Sequence, residues 1–147
     1  MSIYEMIRDH MDKSVPFATV TGVELVEVSP QRGVAALKKR PEVENHIQTM
    51  HAGAMFTLGE AASGAALGGV LGDQLLAVRP VAADASIKYL KTGKTDLTAT
   101  ANSDAEAIHK ELAEVGKVVF DINVAITDAE NVTVAEMVVN WHVKKTG

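Results

Sequence analysis

Residues 51–73 read HAGAMFTLGEAASGAALGGVLGD, and the only ionisable side chain between the two ends of this stretch is Glu60. The stretch is apolar on nearly all sides of a helical projection. This pattern predicts a helix that begins near Ala52 or Gly53, ends near Leu67 and is buried on most sides. The dipeptides Gly68-Gly69 and Gly72-Asp73, which follow, predict its end. The run is long enough for a membrane span, but its glycines, its central carboxylate and its moderate hydrophobicity favour a buried helix in a globular domain.

Glu60 is the most informative single residue of the chain. An uncompensated charge is costly to bury, and a buried carboxyl group responds by raising its pKa or by finding hydrogen-bond donors. A perturbed carboxyl group in a dry setting is therefore a candidate for a functional site. The alternative is that Glu60 lies on a narrow solvated stripe of an otherwise buried helix.

The composition sets the broad class of the protein. The chain has 147 residues, of which 47% are hydrophobic, and this suits one domain with a substantial core. The net charge of −5 argues against a nonspecific nucleic-acid binder, which carries a basic face. The absence of cysteine excludes disulfides, thiolate chemistry and a zinc ribbon. The charged N-terminus lacks the apolar core of a signal peptide, so we expect a cytoplasmic protein without a membrane anchor.

The remainder of the chain predicts one short helix and six strands. Apolar residues from Ile3 to Met11 recur at helical spacing, and Pro16 ends this first helix. Pro80 predicts a break or bulge in the third strand. One sheet wrapped around one long apolar helix is an α+β architecture, and we expect a single domain over residues 1–147. The predicted strands cover residues 19–28, 33–39, 75–89, 97–103, 117–127 and 132–143.

A group of polar features lies around the start of the predicted central helix. Asn45 and His51 precede the helix in a loop, and the backbone N–H groups of Ala52 and Gly53 lie at its N-terminus. Helix N-termini offer unpaired donors and a partial positive charge, which suit a developing oxyanion. Together with the Glu60 carboxylate, these donors supply the minimum machinery for acyl transfer to water.

The length of the helix indicates that this site needs two chains. Glu60 lies roughly 12 Å along the helix from Ala52, at 1.5 Å per residue. This separation is too large for both groups to contact one carbonyl group. A two-fold partner brings a second Glu60 to the helix N-terminus of the first chain, so we expect a site that spans the interface of a homodimer. A dimer of dimers is compatible with the same argument.

The spacing of these residues resembles that of hotdog-fold thioesterases of the phenylacetate-pathway type. Their motif is Asn, five residues, His-Gly-Gly, and then Asp or Glu nine residues after the His; Asn45, His51 and Glu60 match these spacings. Residues 84–91, DASIKYLK, resemble the family's strand after the helix, which ends in an aromatic and often a basic residue. The resemblance covers residues 17–143 and implies the hotdog fold. The chain is also similar to uncharacterised hotdog-like domains.

The resemblance implies a role for each residue of the motif. Glu60 is expected to act as general base or nucleophile towards an acyl-CoA thioester, and Asn45 to position the water or the carbonyl group. The Ala52 N–H is expected to donate to the thioester oxygen, with help from Gly53, while His51 shapes the loop. Ala52 replaces the first glycine of the motif, which keeps the N–H but adds a methyl group near the path of the thioester.

The expected substrate contacts are less complete than in the family. The family often carries a hydroxyl group one turn after the acid or on the next strand, where this chain has Gly64 and Ala82; Ser63 is offset by one position. Lys88 and Lys91 are candidates for contacting the phosphates of CoA, although a solvated strand end is the favoured explanation for them.

Three functions remain open at this point. The first is a thioesterase that hydrolyses an acyl-CoA or a related small-molecule thioester, with no cofactor beyond the CoA of the substrate. The second is a noncatalytic acyl-CoA-binding or regulatory domain on the same fold. The third, a hotdog dehydratase, lacks its expected motif in this chain. A metal site at His46 and His51 would lack the three or four ligands that metals need.

Overall fold

The chain folds as a six-stranded antiparallel sheet that wraps around one central helix, in the computed structural model, which describes residues 2–146. The helices are α1 (Ile3–Asp12), α2 (Pro16–Thr21), α3 (Ala52–Leu71) and α4 (Ala105–Val115). The strands are β1 (Glu24–Ser29), β2 (Arg32–Leu37), β3 (Val78–Tyr89), β4 (Leu97–Asn102), β5 (Lys117–Thr127) and β6 (Thr133–Lys145). Their order in the sheet is β1-β2-β4-β5-β6-β3. The α+β prediction is confirmed, and the architecture is that of the hotdog fold.

The central helix α3 packs against the sheet through small residues. A side chain at Gly69 would overlap the carbonyl oxygen of Ser29 in β1, and one at Gly33 in β2 would overlap the α3 backbone at Ala66. Glycine is therefore required wherever helix and strand backbones touch. The helix consequently continues through the glycine pair that was expected to end it, and it stops at Gly72, which adopts a φ of 53°.

The apolar length of α3 is explained by its place in the core. It begins the only segment among residues 2–146, Ala52–Ala77, that is long and apolar enough to cross a membrane, with a mean hydropathy of 1.3. Of the most apolar window of this segment, 72% is buried inside the fold. The sheet and the other helices thus provide the apolar surroundings that the sequence demands.

Two short helices were not predicted. Residues 19–21, expected to begin the first strand because they are rich in β-branched residues, belong instead to α2, which begins at Pro16 and is followed by Gly22 in a left-handed conformation. Residues 105–115 form α4, which buries Ile108 and Leu112 and ends at Gly116. A 3-10 turn at residues 72–77 also delays the start of β3 from the expected position 75 to Val78.

Strand β3 lies at the edge of the sheet and is paired only with β6 among the described residues. It runs for 12 residues, most of them exposed, and its register shifts between Ala82 and Asp84. Pro80 is accommodated within the strand because an edge strand has one side free of ladder hydrogen bonds. The predicted irregularity therefore occurs a few residues beyond the proline. A long, exposed edge of this kind is a surface suited to pairing with another chain.

Candidate active site at the start of the central helix

Among residues 2–146, the first turn of α3 leaves two backbone donors without an acceptor, the N–H groups of Ala52 and Ala54. His51 is the N-cap, and its Nδ1 accepts the Gly53 N–H at 2.8 Å. An accepting Nδ1 carries no proton, so the ring proton lies on Nε2. Among residues 2–146, the Ala52 N–H has no hydrogen-bond acceptor. The expected assistance from Gly53 is therefore not seen in this geometry, because its N–H is used by the cap, whereas the Ala52 N–H is free.

Asn45 organises the loop that leads to this helix. Its Oδ1 accepts the N–H groups of Ile47 at 3.0 Å and Thr49 at 3.1 Å, and its Nδ2 donates to the Thr49 Oγ1 at 2.8 Å. Within the same loop, Gln48 adopts a φ of 59°, in the left-handed region. These bonds form an Asx turn, a common role for asparagine. One amide hydrogen of Asn45 remains for a ligand.

The loop and the helix start enclose a cleft of about 350 Å³. Three of the residues singled out from the sequence, Asn45, Ala52 and Lys91, line this cleft together. The cleft is completed by Thr49, Met50, Met55, Tyr89, Leu90 and Thr92. Among residues 2–146, no group of three or more His, Asp and Glu side chains is placed to hold a metal ion.

Tyr89 is a residue of the cleft that the sequence analysis did not single out. Its hydroxyl group donates to the Ala52 carbonyl oxygen at 3.1 Å, and its pKa is raised by burial, which keeps the donating proton in place. The peptide unit between Ala52 and Gly53 is thus held at both ends, by Tyr89 on its C=O and by His51 on its N–H. The available signal was an aromatic residue at the end of a strand that follows the acid-bearing helix.

Replacement of Tyr89 by Phe should disturb the first turn of α3 without removing a group that contacts substrate. We expect kcat for thioester hydrolysis to fall by about three- to tenfold with a small change in KM, because one neutral hydrogen bond contributes about 1 kcal/mol. Steady-state kinetics tests this expectation. An increase in KM alone would indicate that Tyr89 contributes only to the wall of the cleft.

Glu60 lies two turns further along α3, outside the cleft. It shares the outward stripe of the helix with Gly53, Phe56 and Gly64, and it is half-buried. Within residues 2–146, its carboxylate has no ion-pair or hydrogen-bond partner. Burial alone raises the pKa of Glu60 above its ordinary value. An unpaired, partly dehydrated carboxylate is a competent proton acceptor.

The expected substrate contacts at Ser63 and Gly64 do not face the cleft. Ser63 is fully buried, its Oγ donates to the Glu60 carbonyl oxygen at 2.7 Å, and it accepts the Trp141 Nε1–H at 3.3 Å. A side chain at Gly64 would meet Met11 of α1. Ser63 therefore belongs to the packing around α3, whereas Gly64 lies on the half-buried outward stripe of the helix with Glu60.

The candidates on β3 divide between the two faces of the sheet. Ala82 lies opposite Trp141 and Lys88 lies opposite Glu136, and both are exposed in the single chain. Since successive residues of a strand alternate between faces, Lys88 points away from the face that carries Tyr89. Of the two lysines proposed from the sequence, only Lys91 lines the cleft.

Substitution of Ser63 by Ala should act on stability rather than on activity. We expect a loss of about 1–3 kcal/mol in the free energy of unfolding, because the buried Trp141 Nε1–H loses its acceptor. Denaturant unfolding measures this loss, and kcat at a temperature where the variant is folded should remain within about twofold of wild type. A large fall in kcat with unchanged stability would return Ser63 to the reaction.

The chain resembles known proteins in sequence pattern and in shape. Residues 5–143 match the family described as "Domain of unknown function (DUF4442)". A Pseudomonas aeruginosa protein of unknown function, PA5026, named a "Probable Thioesterase", has a TM-score of 0.84 at 24% identity, over 96% of this chain and 95% of that one. The PaaI protein of E. coli, from the phenylacetic acid degradation operon, has a TM-score of 0.74 at 20% identity, over 99% of this chain and 94% of that one. No curated protein matches the chain in sequence.

These likenesses agree with the helix and the sheet described above. The solved structures are less than 25% identical to this chain, so they establish its fold, and the match over residues 5–143 establishes its family. The chain is a member of the DUF4442 family, built on the hotdog fold of thioesterase-like proteins.

Proposed function

We propose that this protein is a thioesterase that hydrolyses an acyl-CoA or a similar small-molecule thioester. The observation that carries the proposal is the unpaired, half-buried carboxylate of Glu60 on the same helix whose first residue, Ala52, has a free N–H and lines a cleft. A carboxylate and a preorganised amide donor are the two elements that hydrolysis of a thioester requires. The thioesterase names given to structural relatives support the same reaction class.

The active form is proposed to be a homodimer with two shared sites, with a dimer of dimers as an allowed higher assembly. One chain separates Glu60 from Ala52 by about 12 Å of helix, so the two groups cannot act together on one carbonyl group. The long exposed edge of β3 offers a surface for two-fold pairing, and β3 also carries Tyr89 of the cleft. Pairing of this kind would cover both the half-buried acid and the exposed edge of the single chain.

The proposed reaction uses water as the acyl acceptor. The Glu60 carboxylate removes a proton from a water molecule. The oxygen of that water molecule attacks the carbonyl carbon of the thioester. The Ala52 N–H stabilises the negative charge that develops on the carbonyl oxygen. When the tetrahedral intermediate collapses, the C–S bond breaks and the thiolate receives the proton, which yields a free acid and a free thiol. Direct attack by Glu60, through an anhydride that water then hydrolyses, uses the same groups.

A panel of acyl-CoA substrates tests the proposal directly. The purified protein should release free thiol from at least one member of the panel, with saturation kinetics and one equivalent of acid for each thiol. The absence of thiol release from short, long and aromatic acyl groups alike would overturn the assignment as an enzyme.

The raised pKa of Glu60 predicts a dependence of stability on pH. The folded state favours the protonated form, so this group stabilises the protein fully below the ordinary pKa of 4.5, and the contribution is lost as the pH rises through the folded pKa. We therefore expect the Glu60→Gln variant to melt at a higher temperature than wild type at pH 8 and at nearly the same temperature at pH 4. Melting curves at the two pH values test this, and an equal difference at both would show that the ionised form is not penalised.

The second candidate is a noncatalytic acyl-CoA-binding or regulatory domain. It is favoured by the absence of hydroxyl groups at Gly64 and Ala82 and by the inward orientation of Ser63, which leave fewer groups to hold a water molecule. This function predicts saturable binding of an acyl-CoA without thiol release, and an affinity that changes little in Glu60→Gln. In either case, a cytoplasmic location remains a prediction. The same holds for a small-molecule thioester as partner, with neither nucleic acid nor a membrane.

A further inference from the structure

Three cations stand side by side on the outer face of the sheet, away from α3. Lys144 of β6 lies directly opposite Lys117 of β5 on one side and Arg79 of β3 on the other. Residues directly opposite on neighbouring strands share a face, with Cβ atoms about 5 Å apart, and like charges in this arrangement destabilise a sheet. All three side chains are exposed. We refer to these three residues as the cation row.

Among residues 2–146, no acid lies next to the cation row on its own face of the sheet. None of its members forms an ion pair among residues 2–146. The adjacent row is Val119, His142 and Val81. The first carboxylates, Asp121 and Asp84, lie in the next row but one, roughly 13 Å along the strands. Glu111 of α4 lines a groove together with Lys117, but it forms no ion pair with it within 4 Å. In a chain of net charge −5, this local excess of positive charge is distinctive.

The end of the row is concave. A recess of about 240 Å³ is lined by Arg79, Lys144, Lys145 and Thr146. The Thr146 N–H and hydroxyl group both donate to the Ala77 carbonyl oxygen, at 3.1 and 3.2 Å. These bonds fix the end of β6 against the start of β3, so the recess has a backbone frame.

We propose that the cation row and its recess bind the phosphate groups of a nucleotide. An oligophosphate supplies several adjacent negative charges that cations on neighbouring strands can contact together, and Arg79 offers a bidentate fork while the lysines act as point charges. Binding would relieve the repulsion that the row creates in the free protein. The phosphates belong either to the nucleotide end of an acyl-CoA or to a free nucleotide; the chemistry recognised is the same.

The site is separate from the cleft within one chain. Arg79 is ten residues from Tyr89 along β3, which corresponds to roughly 33 Å of extended strand. Phosphate binding at the cation row can therefore be measured without turnover. The proposal remains testable even if the protein hydrolyses no thioester.

Calorimetric titration with coenzyme A, ADP and pantetheine, which has no phosphate, tests the proposal. The double variant Arg79→Gln and Lys144→Gln removes two like charges and is expected to fold. The matched control is Lys13→Gln and Lys110→Gln, which removes the same charge from exposed positions on α1's C-cap and α4. We expect the Kd for coenzyme A and ADP to rise at least about tenfold in the row variant and to stay unchanged in the control at equal ionic strength.

Two further readings distinguish the source of the phosphates. If the row variant lowers kcat/KM for an acyl-CoA but not for the matching acyl-pantetheine, the row holds the nucleotide end of the substrate. If that ratio is unchanged while ADP binding is lost, the row serves a free nucleotide. Equal affinity of wild type and row variant for both phosphate ligands, or equal affinity of wild type for coenzyme A and pantetheine, would overturn the proposal.

Discussion

Replacement of Glu60 by Gln is expected to lower kcat for thioester hydrolysis by about 10³-fold, within the range that general-base catalysis contributes. Gln has nearly the same size as Glu but cannot accept a proton from water. The carboxylate has no structural partner within residues 2–146, so the substitution breaks no ion pair and leaves the packing intact. The change in KM should be small, because the group acts on the water and not on the resting substrate.

The controls for this variant separate chemistry from charge. Glu106→Gln makes the same chemical change at an exposed position in the first turn of α4, and kcat should stay at the wild-type level. In the wild type, kcat/KM should fall towards acidic pH with a midpoint above the ordinary glutamate pKa, because burial raises the pKa of Glu60. A Glu60→Gln enzyme that kept wild-type kcat would remove this residue from the mechanism.

Substitution of Ala52 by Pro should lower kcat by about 10²- to 10³-fold, the cost of losing one oxyanion donor. Ala52 is the first residue of α3, where proline is well accepted because the N–H has no partner in the helix. The preceding His51 has φ −64° and ψ 140°, a conformation that a following proline favours. The change therefore removes one N–H group and little else.

The Ala52→Gly variant is the matched control. It keeps the N–H and removes the methyl group that the motif of the resembling family lacks, so kcat should be retained or should rise. Circular dichroism and thermal melting of the proline variant should match those of wild type. A folded proline variant with wild-type kcat would show that the oxyanion is stabilised elsewhere.

The central helix was predictable because its sequence is apolar on nearly all sides, and this composition predicts burial. An apolar run with one acid is favourable mainly in the core, and the start of the helix near Ala52 was predicted correctly. The end of the helix was wrong because glycine has two roles. Gly68 and Gly69 indicate a terminus, but here they allow contact with α1 and β1. That contact depends on the position of strands far away in sequence, which local patterns do not contain.

The helix α4 was missed although its signals are present. Ile108 and Leu112 recur at helical spacing, Asp104 caps the N-terminus by accepting the Ala107 N–H at 3.1 Å, and Gly116 closes the C-terminus. The imidazole ring of His109 in α4 contacts the carbonyl oxygen of Val70 near the end of α3. This tertiary contact, which stabilises a short helix, is not visible in a window of local sequence.

The candidate site was predicted in part. The motif gave Asn45, Ala52 and Glu60 from spacing alone, and the structure gathers the first two in one cleft. The position of Tyr89 depends on the approach of β3 to the start of α3, a contact between residues 37 positions apart. The inward orientation of Ser63 likewise depends on Trp141, which lies 78 positions away. Contacts at these separations follow from the fold and not from the motif.

The most direct test of a site formed by two subunits is to mix two inactive variants. Glu60→Gln and Ala52→Pro chains, unfolded and refolded together in equal amounts, form dimers of which about half contain one chain of each kind. Such a dimer joins the intact Ala52 N–H of one chain to the intact Glu60 of the other and so contains one working site. If each site is shared between two subunits, the mixture recovers about one quarter of wild-type activity, while each variant refolded alone stays inactive. A mixture that forms mixed dimers, as shown by mass spectrometry, but gains no activity would contradict a site shared between two subunits.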